Sequence, residues 1–175
     1  TLTNATTTAT GKINPLTATL TVEAKAATYT GTAYAESNLT ATSNAGEVRC
    51  TYTYCKDSNG RPSGTDLSAA PKDVGTYWVT GHIAATGNYS AAASEAVKFT
   101  INPAPLTITA NDKAITYGTA PGNVLQGVTC EYTGFVGSDN ESGVQLTLET
   151  NYPQYGNVGT YTITPYGADT DLANY

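Results

Sequence analysis

The most constraining feature of this chain is an internal repeat with a period of about 86 residues. Three short motifs occur twice in the same order, 88, 84 and 86 residues apart. They are Ile13-Asn14-Pro15 and Ile101-Asn102-Pro103, Asp73-Val74-Gly75-Thr76-Tyr77 and Asn157-Val158-Gly159-Thr160-Tyr161, and Gly87-Asn88-Tyr89 and Ala173-Asn174-Tyr175. A repeat of this length corresponds to one small domain rather than to one turn of a solenoid. The chain is therefore predicted to be part of an array, and arrays commonly serve reach, display or multivalent contact.

The repeat divides the 175 residues into two units and a leading segment. Proline ends a strand because it has no N–H to donate, and it stiffens the connection that follows. We therefore place the first unit at residues 14–102 and the second at residues 103–175. A short linker containing Asn102, Pro103 and Pro105 joins them. Residues 1–13 are interpreted as the closing strand or linker of a preceding repeat.

The second unit is shorter than the first at its end. After Asn88-Tyr89 the first unit continues through residues 90–101, which supply a last strand, whereas the second unit stops at Asn174-Tyr175. We therefore predict that residues 103–175 lack their last strand. One hypothesis is that the resulting unpaired edge accepts the N-terminal strand of another chain. We favour the simpler interpretation, that the segment ends one strand early.

Apolar and polar residues alternate over most of the chain, which is typical of half-buried β-strands. The clearest runs contain Leu16, Ala18, Leu20 and Val22, and Tyr77, Val79 and Ile83. Turn-forming clusters separate the runs, as at residues 57–62 and 137–140. The pattern predicts an all-β chain built from antiparallel β-sandwiches.

Charge and hydropathy disfavour two classes of partner. The net charge is −6 and there is no cluster of Lys or Arg, so the basic patch that nucleic-acid binding requires is missing. No apolar run approaches the roughly 20 residues needed to cross a bilayer. We therefore expect no nucleic-acid partner and no membrane insertion in this segment. Its first residues resemble neither a signal peptide nor an initiator sequence, so we expect a piece of a longer protein.

The three cysteines are Cys50, Cys55 and Cys130. Cys50 and Cys130 have similar neighbours, Val-x-Cys-x-Tyr, so we interpret them as one position of the repeat. Cys55 lies five residues beyond Cys50 and would point to the opposite face of the same strand, which disfavours a disulfide between them. No pair has the CxxC spacing of a zinc or redox site. We predict three free thiols and assign them no role.

A tyrosine corner is predicted twice. The first copy of the motif has the D-x-G-x-Y form found before the penultimate strand of immunoglobulin-like sandwiches, where the tyrosine hydroxyl bonds to upstream backbone. The second copy has Asn in place of Asp. The predicted corner residues are Asp73, Gly75, Tyr77, Asn157, Gly159 and Tyr161.

The second unit resembles the MBG-type repeat of bacterial surface proteins. The matching stretches are residues 106–113, 116–119, 134–139 and 158–165, followed by Ala173-Asn174-Tyr175. The first unit resembles a related bacterial immunoglobulin-like repeat through Tyr29-Thr30-Gly31-Thr32-Ala33-Tyr34 and the first corner. The resemblance covers nearly all of residues 12–175. It implies two tandem immunoglobulin-like antiparallel β-sandwich domains of a protein at the cell surface, in the cell wall or secreted, with no catalytic residue and no cofactor.

Side chains suited to catalysis are scarce. His82 is the one histidine, and no Ser or Cys lies near it in a recognisable motif, so we predict no enzyme. Strand parity places Trp78 and His82 on the face opposite to the core, which makes them a candidate contact surface for a glycan or a protein. The interpretation that we favour is an outer-face residue packed under a loop, because single exposed apolar residues are normal. Asp169, Asp171 and Asn174 could offer oxygens to calcium, but the calcium-loop motif is missing and we predict no metal site.

The function predicted from these observations is structural. The units would act as non-catalytic spacer or stalk repeats, or would present a side surface for adhesion to an unidentified host or cell-wall glycan or protein. Their other expected partners are neighbouring repeats of the same chain. One alternative is a carbohydrate- or protein-binding module that uses the aromatic residues around Trp78. The other is a set of accessory domains of a secreted enzyme.

Overall fold

The computed structural model describes residues 10–167 and 172–175. Strands dominate the regular structure of these residues, and their one α-helix is the single turn α1 (Pro121–Val124). The strands up to Asn102 are β1 (Leu20–Ala24), β2 (Ala27–Thr28), β3 (Leu39–Ser43), β4 (Cys50–Ser58), β5 (Arg61–Asp66), β6 (Gly75–Ile83), β7 (Ala92–Ala93) and β8 (Val97–Asn102). The strands beyond it are β9 (Thr107–Ala110), β10 (Cys130–Thr133), β11 (Leu146–Thr150) and β12 (Ile163–Gly167).

The prediction of an all-β chain is confirmed. Within the described ranges, no helix is long and apolar enough to cross a membrane. Two points of the sequence analysis fall on residues outside these ranges. They are the assignment of residues 1–13 to a closing strand or linker, of which residues 1–9 are not described, and the rejected interpretation of Asp169 and Asp171 as calcium ligands.

The N-terminal part, residues 14–102, contains a six-stranded sheet. Five of its strands lie in the order β2-β8-β6-β4-β5, and β7 pairs with the end of β6. The β2–β8 pairing is parallel and the others are antiparallel. β1 and β3 form a separate antiparallel pair, and β1 packs against β6 and β8 of the large sheet.

β6 shows why this part folds in two layers. Its side chains alternate between faces, and Tyr77, Val79 and Ile83 are buried in the main core together with Val22 of β1. Burial of each such side chain contributes about 1.5–3 kcal/mol. Gly81 leaves room for β1 to pack closely, since a Cβ at this position would lie 2.6 Å from Cγ2 of Val22.

The C-terminal part, residues 103–175, has a smaller interior. Its strands form two antiparallel pairs, β9–β10 and β11–β12. Among its described residues, Ala104, Val124 and Tyr152 are the buried hydrophobic ones, and Ala104 belongs to the core of the N-terminal part. Most of the buried apolar side chains therefore lie before residue 103.

The two parts use the same connection at matched positions. The N–H of Leu16 donates to the carbonyl of Asn88 (2.8 Å), and the N–H of Ala104 donates to the carbonyl of Asn174 (3.0 Å). In each part, a residue just after an Asn-Pro pair is thus bonded to the repeated Asn-Tyr motif. The sequence repeat is therefore also a repeat of backbone contacts.

The cysteines correct one prediction. Cys130 lies in β10, which pairs with β9 as β3 pairs with β1, whereas Cys50 lies in β4, which pairs with β6. Their assignment to one position of the repeat is therefore wrong, because similar neighbours do not determine which strand a segment pairs with. The prediction of free thiols is confirmed for all three cysteines. Cys55 also points to the face opposite to Cys50, since it aligns with Trp78 while Cys50 aligns with Ile83.

Candidate functional site

Both copies of the corner motif make the same hydrogen bond. The Tyr77 hydroxyl donates to the carbonyl of Asp73 at 2.9 Å, and the Tyr161 hydroxyl donates to the carbonyl of Asn157 at 2.9 Å. Gly75 gives the first corner room, because a Cβ there would lie 3.2 Å from the Tyr77 ring. At the second corner, Gly159 is exposed.

The first corner also binds the C-terminal part. The amide side chain of Asn174 accepts a hydrogen bond from the N–H of Val74 (2.9 Å) and donates one to the carboxylate of Asp73 (3.2 Å). The two contacts use both ends of one amide and join residues about 100 positions apart in the sequence. A side chain from the second copy of the repeat is thereby fixed to the first copy.

A carboxylate beside this contact accepts hydrogen bonds from two tyrosine hydroxyls. The hydroxyls of Tyr29 (2.8 Å) and Tyr175 (2.7 Å) both donate to Oδ2 of Asp139. The rings of Tyr29 and Tyr175 meet edge to face with centroids 5.7 Å apart. The Tyr175 hydroxyl also accepts a hydrogen bond from the N–H of Val136 (3.2 Å). We call these contacts and those of Asn174 with Asp73 and Val74 the joint.

The electrostatics of the joint follow from these hydrogen bonds. Donation by the Tyr175 and Tyr29 hydroxyls lowers the pKa of Asp139, because both bonds stabilise the charged carboxylate. Burial, followed by the bond to Asp139, raises the pKa of Tyr29 to about 12. Asp139 is therefore ionised and Tyr29 is neutral at neutral pH, which is the protonation state that the hydrogen bonds require.

The linker residues are held from both sides. The carbonyl of Asn102 accepts the N–H of Tyr29 (2.8 Å), and Ala104 between the two prolines is 2% exposed. Gly134 passes so close to the carbonyl of Pro105 that a Cβ there would lie 2.2 Å from that oxygen. Pro103, like Asn102, is exposed. The linker thus lies against the two parts it connects.

An open polar cleft of about 380 Å³ lies at the joint. Tyr29, Asp139 and Tyr175 line it, together with Lys72 and Asn174. The Asp139 carboxylate and both phenols already bond to one another, so these three groups are engaged within the protein. Among the described residues, no three His, Cys, Asp or Glu side chains are grouped so that they could hold a metal ion.

Trp78 and His82 lie on the outer face of the six-stranded sheet, both half-buried. The indole N–H of Trp78 donates to Asp57 (2.8 Å), and the Lys98 ammonium lies 5.8 Å from the centre of the ring while bonding to the same carboxylate at 3.3 Å. The His82 ring bonds to the Thr53 hydroxyl (3.0 Å). Four residues of strand separate the two side chains by about 13 Å. They share a face, but they do not form one site.

Sequence reasoning missed the joint. The sequence could identify Asp139 only as a carboxylate in a turn, because its hydrogen-bond partners Tyr29 and Tyr175 are 110 and 36 residues away. The sequence feature that could have indicated the joint is the repeated Asn-Tyr pair, because Asn174 and Tyr175 both make contacts there. Of the predicted corner residues, Asp73 lies at the joint, where its carboxylate accepts a hydrogen bond from Asn174.

Comparison with known proteins gives a match to a family model. No curated protein and no solved structure matches the chain. One family model, described as the MBG domain (YGX type), matches residues 106–175, a range that includes Tyr117-Gly118. Residues 106–175 are therefore similar to the MBG domain of the YGX type.

Proposed function

We propose that the chain is a rigid, non-catalytic spacer from a bacterial surface or secreted protein, composed of two tandem immunoglobulin-like β-sandwich units. The joint is the observation that carries this proposal. A flexible linker would leave the two units free to reorient, whereas here side chains of both repeat copies are bonded across the boundary. The MBG match in the second unit supports a location outside the cell.

Rigidity at the joint has a physical basis. Hydrogen bonds to a charged group contribute about 1.5–3 kcal/mol when shielded from water, and less when half-exposed as here. Asp139 accepts two such bonds and Asn174 makes two more. The apolar core is also continuous across the boundary, because Ala104, Val136 and Tyr175 pack against the core of residues 14–102.

A spacer made of repeats also needs a surface on which a further repeat can stack, and the second unit has such a surface. Tyr29 and Val74, which contact the second unit, correspond by the repeat to Tyr117 and Val158. Tyr29 is 3% exposed and Val74 half-buried, whereas Tyr117 is 67% and Val158 95% exposed. The far end of the second unit therefore presents the counterpart of the surface that the first unit uses for stacking.

Backbone ¹⁵N relaxation of the whole chain tests the proposal. We expect residues of β6 and of β12 to report one shared rotational correlation time. The double variant Asp139→Ala and Asn174→Ala should give two shorter, separate times, while Asn123→Ala, an exposed asparagine in α1, should behave as the unmodified chain. Independent tumbling of the two parts in the unmodified chain would rule out the rigid spacer.

The alternative of a glycan- or protein-binding surface around Trp78 stays a prediction. The indole N–H is already bonded to Asp57 and Lys98 lies over the ring, so less of Trp78 is available to a ligand than in an open aromatic platform. Binding on a glycan array that is lost in Trp78→Ala would support it. The third possibility, an accessory domain of a secreted enzyme, depends on sequence beyond these residues.

A further inference from the structure

β3 is a strand with one free edge. Within the described residues it pairs only with β1, in an antiparallel ladder over its whole length. Its middle residues, Thr40, Ala41 and Thr42, are exposed. A free strand edge presents N–H and C=O groups that can pair with a strand of another molecule.

Two other sheet edges carry residues that prevent such pairing. β5, at the edge of the six-stranded sheet, contains Arg61, Pro62 and Asp66, and β12 contains Pro165. Charged residues and proline at an edge disfavour pairing with a second chain. β3 has the sequence Leu-Thr-Ala-Thr-Ser, with no charge, no proline and no glycine. Its free edge therefore lacks this protection.

The ladder with β1 determines which backbone groups of β3 face the free edge. The N–H of Lys25 donates to the carbonyl of Asn38 (3.0 Å), one residue beyond the last pair of the ladder. Hydrogen-bonded and non-hydrogen-bonded pairs alternate along antiparallel strands. Thr40 and Thr42, two and four residues after Asn38, therefore direct their backbone groups to β1.

The backbone groups of the other three residues, Leu39, Ala41 and Ser43, point away from β1. The N–H of Leu39 is used locally, because it donates to the carbonyl of Glu36 in the preceding turn. The free edge therefore offers the N–H and C=O of Ala41 at its centre, the C=O of Leu39 at one end and the N–H of Ser43 at the other. This arrangement is complementary to itself when two such strands run antiparallel.

A groove of about 330 Å³ lies beside this edge, between the two layers of the N-terminal part. Its apolar lining includes Leu20 of β1, Val48 and Ile83 of β6. Ala41 and Ser43 line it from β3, and Ser43 lies opposite Leu20 on the same face of the ladder. An apolar side chain on this face of a strand added to β3 would reach the groove.

We propose that β3 is a self-association surface and that its partner is β3 of a second copy of this chain, paired antiparallel about Ala41. The two Ala41 residues exchange two backbone hydrogen bonds, and the Ser43 N–H of each copy donates to the Leu39 carbonyl of the other. Directly opposed residues share a face, so the Leu39 side chain of each copy lies beside Ser43 of the other, over its groove.

A second copy is favoured as the partner because the free groups are symmetric about Ala41 and the strand brings no charge against itself. One pair of five-residue strands buries much less than the roughly 1,200 Å² of a stable interface, so the association is weak and needs high protein concentration. No residue of β3 belongs to the joint, and the proposal therefore goes beyond the spacer function.

A dilution series of the whole chain from millimolar to micromolar concentration tests the proposal. We expect saturable, concentration-dependent amide shifts at residues 39–43, constant signals at residues 159–163, and a monomer–dimer equilibrium in sedimentation. In a mixture of isotope-labelled and unlabelled chains, the α-protons of Thr40 and Thr42 from different copies should be in contact. That contact is specific to this register, in which the two residues form a non-hydrogen-bonded pair.

Matched variants test the location. Ala41→Lys should weaken the association more than about tenfold, because two ammonium groups then face each other at the centre of the pairing. Ala93→Lys, the same change at an exposed alanine of β7, should not weaken it. Unchanged amide signals of β6 show that each variant is folded, and the dilution series needs no variant.

Three results would overturn the proposal: signals at residues 39–43 that stay constant up to millimolar concentration, concentration-dependent shifts confined to other residues, or equal association of Ala41→Lys and the unmodified chain. The shared tumbling of the two parts is measured at micromolar concentration, where the chain is monomeric. A failure of self-association therefore leaves the test of the spacer unaffected.

Discussion

At the scale of single residues, Asp139 shows how one side chain can hold two parts of a chain together. Its Oδ2 accepts one hydrogen bond from the hydroxyl of Tyr29, which precedes the linker, and one from the hydroxyl of Tyr175, which follows it. Neither pairing is visible in the sequence, because partners 110 and 36 residues away are selected by the folded arrangement and not by neighbouring residues. Asp139 could only be predicted to lie in a turn.

Asp139→Asn should destabilise the joint in a pH-dependent way. The folded-state pKa of Asp139 is lowered, so its contribution to stability is complete above the ordinary carboxyl pKa of about 4 and is lost as pH falls through the folded-state value. We expect the variant to be less stable than the unmodified chain by about 1–2 kcal/mol at pH 7. The difference should shrink as the pH is lowered below about 4. Urea unfolding at a series of pH values measures both effects.

Asp66→Asn, which changes an exposed carboxylate in β5, is the matched control and should leave stability at pH 7 nearly unchanged. A loss of stability in Asp139→Asn that stays constant from pH 7 to low pH would show that the charge of Asp139 is not what stabilises the joint.

At the scale of elements, β6 was the most predictable strand and the partners of the cysteines the least. Alternation placed Tyr77, Val79 and Ile83 inside and Trp78 and His82 outside, and the burial of β6 agrees. Alternation works because a strand has only two faces, so local sequence is sufficient. The choice of partner strand is a long-range property, and for this reason Cys50 and Cys130 were wrongly matched.

The two corners should differ in strength although their geometry is the same. Tyr77 is 6% exposed, so Tyr77→Phe leaves the Asp73 carbonyl without its donor in a largely dry environment, and we expect a loss of about 1 kcal/mol. Tyr161 is half-buried and water can replace its hydroxyl, so Tyr161→Phe should cost less than half as much. Chemical denaturation followed by amide signals of β6 and β12 measures each loss. Tyr166→Phe, at a tyrosine 51% exposed, is the control. Equal losses at the two corners would contradict the role given to burial.

At the scale of the whole molecule, the two copies of the repeat contribute unequal numbers of buried apolar side chains. The sequence indicates two similar units, and the corner bonds and the Asn-Tyr connection are indeed the same in both parts. The main core, however, is built almost wholly from residues before Pro103, and it includes β8. In the C-terminal part, an open cleft of about 650 Å³ is lined by Ile115, Tyr152 and Tyr161 among others. The length difference between the units predicted a missing strand, which stays a prediction, and nothing in the sequence indicated the Tyr152 hydroxyl, which is buried without a hydrogen-bond partner among the described residues.

This imbalance predicts the order in which the chain opens. Hydrogen exchange of β12 amides should proceed through openings that cost less free energy than those of β6 amides, by about 2 kcal/mol or more, because far less apolar surface is buried around β12. The joint should raise the protection of residues that it contacts directly, so the amide of Ala104, bonded to Asn174, should exchange more slowly than those of β12. Asn174→Ala keeps the backbone carbonyl that accepts the Ala104 N–H but removes the side-chain oxygen that accepts the Val74 N–H, so it should lower the protection of Val74 far more than that of Ala104 and leave β6 unchanged. If β6 and β12 instead exchange with the same free energy in the unmodified chain, the two parts open as one unit, and the joint rather than the local core sets the stability of the C-terminal part.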